Sequence, residues 1–149
     1  MSVINKAYKY RLYPSKEQQI LFAKTFGCCR KVYNLMLADK KKHYEETGEM
    51  LQTTPAQYKE KYPFLREVDS LALANEQINL QRAYRNFFRD SKIGFPRFKS
   101  AKRDRRSYTT NNQNDTVALQ DKGIRLPKLG VVKASIHRIP GVSWKLKSA

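Results

Sequence analysis

The spacing of apolar residues changes twice along this chain, and few folds accommodate both changes. At the start, Ile4, Tyr8, Tyr10 and Leu12 share one parity, against Asn5, Ala7, Lys9 and Arg11. That alternation predicts a strand with one apolar face, ended by Pro14. From Ser15 to about Asp90 the apolar residues recur at three- and four-residue intervals, which is helical spacing. After Ser107 the runs shorten again. Val117-Ala118-Leu119, Ile124-Arg125-Leu126 and Val131 to Ile139 read as strands, and Val142 to Leu146 as the start of another. Asp121-Lys122-Gly123 reads as a hairpin turn, with further turns at Pro127, Gly130 and Pro140-Gly141. Separate runs of helix and strand predict an α+β fold. The simplest arrangement pairs the first strand with the later ones, so that a bundle of about four helices is inserted into a small antiparallel β-unit.

Within the helical stretch the boundaries are written locally. Ser15 and Gln18 have capping-box spacing, in which side chains satisfy free backbone N–H groups at a helix start. Gly27 is expected to break or bend that helix, with a second running from Cys28 to Glu46 and ending at Gly48. Lys40, Lys41 and Lys42 read as a solvated face. Thr54-Pro55-Ala56-Gln57 is another start signal, for a short helix stopped by Pro63. Phe64, Leu65 and Val68 are expected to plug the core, and Asp69 or Ser70 to cap a helix reaching about Asp90. Leu73, Leu80, Tyr84 and Phe87 run down one side of it, with Ala74, Ile78 and Phe88 beside them. The aromatic end reads as core ahead of a base-stacking platform, while Arg82, Arg85 and Arg89 lie on another side and are expected to face phosphate.

The two textures meet at Gly94-Phe95-Pro96-Arg97-Phe98-Lys99, followed by a basic run to Arg106. Charge is uneven about this junction. Residues 1–91 hold 16 Lys and Arg against 10 Asp and Glu, whereas residues 92–149 hold 14 against 3, within a total of +17. Such an excess calls for a polyanionic partner, nucleic acid or an anionic membrane surface. No apolar run approaches a membrane span and the first residues lack the apolar core of a secretory signal, which favours a cytoplasmic, nucleoid-associated nucleic-acid binder. Cys28 and Cys29 are adjacent, with no second pair at zinc spacing, and read as small core thiols. His43 and His137 are isolated. No phosphate loop, nucleophile motif or spaced carboxylate cluster is written in the chain, so neither a catalytic centre nor a metal or cofactor is expected.

Four stretches, in this order, carry a resemblance: Tyr10-Arg11-Leu12-Tyr13-Pro14, Gly27-Cys28-Cys29-Arg30-Lys31-Val32-Tyr33-Asn34, Gly94 to Lys99, and Leu126-Pro127-Lys128-Leu129-Gly130. Together they resemble the amino-terminal half of TnpB, or OrfB, the transposon-encoded family related to type V CRISPR effectors. The resemblance implies a wedge-like β-barrel interrupted by a helical recognition domain, called a helix-turn-helix domain of a transposase. Residues 1–14 would be the first wedge strand, 15–91 the recognition domain, 92–106 a basic crossing and 107–149 the rest of the wedge. Complete members bind a transposon-derived guide RNA, read a short duplex motif beside the target, and cut DNA with a RuvC-type domain. Neither that domain nor the family's zinc element is matched in this sequence. The expectation is therefore a binding part without catalytic activity of its own, an incomplete barrel with an exposed sheet edge, and docking there of a carboxy-terminal nuclease part or a second copy.

The resemblance and the charge pattern nominate contacts. Lys6, Lys9, Arg11, Arg97, Lys99, Lys102, Arg103, Arg105, Arg106 and Lys128 are candidates for phosphate. Gln52, Thr53, Ser70, Ala74, Thr110, Asn111 and Asn112 are candidates for reading the flanking motif on base edges. Other readings stay open: a plain edge strand for Lys9 and Arg11, stem packing between Phe95 and Phe98 for Arg97, and turn chemistry for Asn111 and Asn112. A stand-alone helix-turn-helix regulator and a generic structured-RNA binder are the competing functions.

Overall fold

The computed structural model describes residues 3–141 and 144–149. Strand β1 (Arg11–Tyr13) leads into helix α1 (Lys16–Thr47), and a second long helix, α2, spans Ser70–Arg89. Strands β2 (Ala118–Gln120), β3 (Gly123–Leu126) and β4 (Gly130–Ser135) follow. The four strands form one antiparallel open sheet in the order β1-β4-β3-β2. The α+β class and the pairing of the first strand with a late one are as expected. The bundle is leaner than four helices: among the described residues it is two long helices with single 3-10 turns at Pro55–Tyr58, Pro63–Glu67 and Ser91–Ile93.

Helix α1 runs through Gly27 without a break. An interior glycine costs a helix about 1 kcal/mol relative to alanine. Here Thr25, Cys28, Cys29, Val32, Tyr33, Met36 and Leu37 are all buried along one side of α1, and that packing outweighs the local cost. The capping box at its start is complete: the Gln18 N–H donates to Ser15 Oγ at 3.2 Å, and the Ser15 N–H to Gln18 Oε1 at 2.9 Å. Gly48 closes the helix in the left-handed region, at φ 74°, with its N–H on the Tyr44 carbonyl. Lys40, expected in solvent, is buried instead. Its ammonium donates to the Leu51 carbonyl at 2.6 Å and lies over the Tyr84 ring, and burial lowers its pKa.

Two cores share α1. The helical core gathers Val32, Met36 and Leu37 of α1, Ala72, Leu73, Leu80 and Tyr84 of α2, and Tyr58, Leu65 and Val68 between them. The sheet core gathers Val117, Leu126, Leu129 and Val132, closed by Leu12, Phe22 and Ile124. Leu21 touches both. Phe64, expected to plug the core, is 44% exposed instead, its ring edge-on to Tyr62 at 6.0 Å.

The sheet also departs locally from the alternation. Only Arg11–Tyr13 of the first strand joins the ladder, in register Arg11 to Ser135 and Tyr13 to Lys133. The preceding residues are held by side chains, with the Tyr10 hydroxyl on the Arg138 carbonyl at 2.6 Å and the Tyr10 ring edge-on to His137. The ladder of β4 ends at Ser135 rather than Ile139. The hairpin turn falls at Asp121-Lys122, and Gly123 has a separate task. A Cβ there would stand 2.6 Å from the Val132 carbonyl oxygen, so only glycine lets β3 and β4 approach. The strand expected from Val142 begins on residues outside those described; beyond them Ser148 bridges Asn111 in antiparallel sense.

Candidate nucleic-acid interface

The crossing from helices to sheet is pinned from both sides. Pro96 is buried, and the Phe95 ring meets Tyr84 and Phe87 edge-on, each at 5.4 Å. Asn34 of α1 clamps the backbone of Lys99: it accepts the Lys99 N–H at 2.8 Å and donates to the Lys99 carbonyl at 2.9 Å. Ser100 and Asp104 then close a turn, the Asp104 carboxylate accepting the Ser100 N–H at 2.7 Å. This framework leaves Arg97, Lys102, Arg105 and Arg106 exposed. Arg103 is exposed but partly engaged, its guanidinium donating to the Phe98 carbonyl and lying 3.8 Å from Asp104.

Lys99 is not available in the same way. Its ammonium is 3.2 Å from the Glu76 carboxylate, whose side chain is almost wholly buried, and 4.3 Å over the Tyr33 ring. A buried carboxylate needs that cation, so Lys99 is engaged in the helical core.

On the sheet side, Lys6, Lys9, Arg11 and Lys128 are all exposed. Arg11 lies over the Tyr13 ring, and Lys128 takes the left-handed conformation, φ 68°, in the turn before β4. The register turns Leu12, Val132 and Ala134 inward and leaves Arg11 and Lys133 on the outer face. Lys133 was missed from sequence, although its place between Val132 and Ala134 carries the signal. Arg30 was missed as well. With Arg106 it walls an open groove floored by Leu12, Pro14, Phe22, Ala23 and Phe26, so cations from α1 and the crossing meet the end of β1.

The motif-reading candidates divide. Asp69 caps α2, accepting the Leu71 N–H at 3.0 Å, and its other oxygen accepts the hydroxyl of Thr110. That bond brings the start of α2 beside residues 110–112, uniting two of the nominated places. It also leaves the Thr110 side chain buried and occupied. Thr53 is buried as well. Both amide atoms of Asn112 are engaged, donating to the Leu146 carbonyl and accepting the Val117 N–H. Burial of Thr53 and Thr110 and engagement of the part-buried Asn112 follow from packing that local composition does not show. Ala74 is half-buried, while Gln52, Ser70 and Asn111 keep exposed side chains.

The thiols are core groups. Cys28 and Cys29 are free and buried, and burial pushes both pKa values up, far up for Cys29. Among the described residues no group of three His, Cys, Asp or Glu is placed to hold a metal ion, and no helix is long and apolar enough to cross a membrane.

Comparison with known proteins agrees with the motifs. The helix-turn-helix domain model of the OrfB/IS605 family matches residues 1–49, a span that takes in β1 and the whole of α1. A Streptomyces pristinaespiralis protein named "Putative RNA-guided DNA endonuclease" is 36% identical over 114 residues, covering 72% of this chain and 28% of its own length. An Escherichia coli K12 protein, "Putative RNA-guided DNA endonuclease InsQ", is 30% identical over 132 residues, covering 84% of this chain and 32% of its own length. The chain thus spans about a third of the length of these relatives. The domain match, the two relatives and the four motifs in order place this chain in the TnpB/OrfB family, where it corresponds to an amino-terminal part carrying the helix-turn-helix domain.

Proposed function

We propose that this chain binds a transposon-derived guide RNA together with the motif-bearing target duplex, and that it supplies the binding rather than the cleavage part of the family's work. One observation carries this reading. The crossing and the sheet leave eight of the ten nominated phosphate cations exposed and outside any ion pair among the described residues: Lys6, Lys9, Arg11, Arg97, Lys102, Arg105, Arg106 and Lys128. Charge kept unneutralised on a folded surface is repulsive, so its retention fits a polyanion. The central carboxylates are already committed to structure: Asp39 accepts the Tyr58 hydroxyl, Asp69 caps α2 and Glu76 holds Lys99. Gln52, Ser70 and Asn111 would reach base edges of the duplex, with Arg30 and Arg106 gripping phosphate across the groove between β1 and the crossing.

Fluorescence anisotropy with transposon-end RNA, random RNA and duplex DNA tests this directly. Affinity for the transposon-end RNA should exceed that for random RNA. It should fall by roughly 10³–10⁵ between 50 and 200 mM salt if six to ten phosphates are contacted. Substituting Arg97 and Arg106 together by Ala should lower the steepness of the salt dependence by about two contacts' worth. Equal affinity for all three nucleic acids, lost together with salt, would overturn guide recognition.

A further inference from the structure

The aromatic end of α2 is not all core. Tyr84 is buried, but Phe88, one turn on, is 66% exposed, and across the following turn Phe95 and Phe98 are 41% and 43% exposed. These rings are held in place rather than loose. Phe88 stacks on Tyr84 with centroids 6.1 Å apart and leans on Phe87 at 5.6 Å. Phe95 is fixed edge-on between Tyr84 and Phe87, and the Lys41 ammonium lies over both Phe95 and Phe98, at 5.7 and 5.3 Å. Arg85, Arg89, Lys92 and Arg97 stand exposed along the same stretch. The single acid between residues 85 and 98, Asp90, accepts the Lys92 N–H.

Exposed, pre-oriented aromatic rings set among free cations are the physical requirement for holding unpaired nucleotides: the rings stack on bases and the cations meet the phosphates. Duplex does not need this, because its bases are already stacked on each other. A second copy of this chain is disfavoured as the occupant, since docking would press four cations against four in a molecule of net charge +17. We propose that Phe88, Phe95 and Phe98 form a stacking platform for a single-stranded stretch of RNA, with Arg85, Arg89 and Arg97 on its backbone. The platform rests on the RNA-binding reading above and names where, and in what form, the strand is held.

Phe88 is the residue to change, because its exposure separates binding from folding. Binding is measured with a 15-nucleotide oligo(A) RNA and with an RNA hairpin of equal charge. F88A should weaken oligo(A) binding by roughly 5- to 150-fold, the range for one lost base stack. Hairpin affinity, salt dependence and thermal midpoint should stay unchanged. F88W should restore binding and F88L should not, since leucine keeps apolar area without a π face. F88L binding as well as the native chain, or F88A weakening oligo(A) and hairpin equally, would overturn the platform. So would F88A changing only the sedimentation of the free protein, which would make this face a protein contact. If F88A left all RNA binding intact, the platform alone would fail. If the native chain bound no RNA, the functional reading would fail with it.

Discussion

Lys99 shows how one residue type can be legible and its role hidden. Its setting in a basic run suggests phosphate, yet Glu76 lies buried at helical spacing from Leu73 and Leu80 and has to be answered. The pair makes a clear prediction. K99M should destabilise the fold by about 2–4 kcal/mol in urea denaturation, because it strands a buried carboxylate. Adding E76Q should recover part of that loss. A phosphate-contacting lysine would show the opposite pattern, with stability kept and RNA affinity lost. Cys29 offers a second residue-scale test, through pH. Its ordinary pKa is 9.0, and burial, with the Glu76 carboxylate adding, raises it far above that. Above pH 9 the unfolded chain gives up a proton that the folded chain keeps, so stability falls as pH rises, by up to about 1.4 kcal/mol per pH unit for this one group. In denaturation series from pH 7 to 10.5, C29A should lose less stability above pH 9 than the native chain, whatever its offset at pH 7.

Elements were legible where their signals are local. Ser15 with Gln18, Gly48, and the Asp69 start of α2 each act within a few residues of where they stand, and each occurs as the spacing suggests. What sequence could not show was decided between elements. Gly27 stays helical because its neighbours are buried against α2, and Thr54-Pro55-Ala56-Gln57 starts only one 3-10 turn before the chain must fold back. Lys40 is drawn inside by a carbonyl eleven residues away. The interface was legible in the same way: the exposed cations lie on turns and strand edges, whereas Thr53 is buried and Thr110 and Asn112 are engaged by contacts made across the fold. Gln18 sits at the join of these two kinds of information. Beyond its cap, its amide N–H groups donate to the Leu129 and Val131 carbonyls, at 3.2 and 2.9 Å, fastening the helix start to the turn before β4 and to the start of β4 itself. Q18E keeps the acceptor that the capping box needs and removes those donors, placing a carboxylate against two carbonyl oxygens. A loss of about 1–2 kcal/mol, with α1 helicity by circular dichroism unchanged, is the expected outcome. A melted α1 would mean that the cap, not the tie to the sheet, was what Gln18 supplied.

For the whole molecule, the pairing of β1 with β4 has a consequence in time. Tyr13 meets Lys133, so the first strand cannot be matched until about 120 further residues have been made. At ordinary synthesis rates that is a wait of roughly 6–24 s with β1 outside the ribosome and no partner. During it, α1 and α2 can already close the helical core, which draws on residues from Leu21 to Tyr84, with Tyr108 added later. The sheet is then assembled last, onto the early end of a helix that is already in place. Anything that reaches β1 in that interval, such as a chaperone or a neighbouring nascent chain, competes for the edge that β4 is destined to fill.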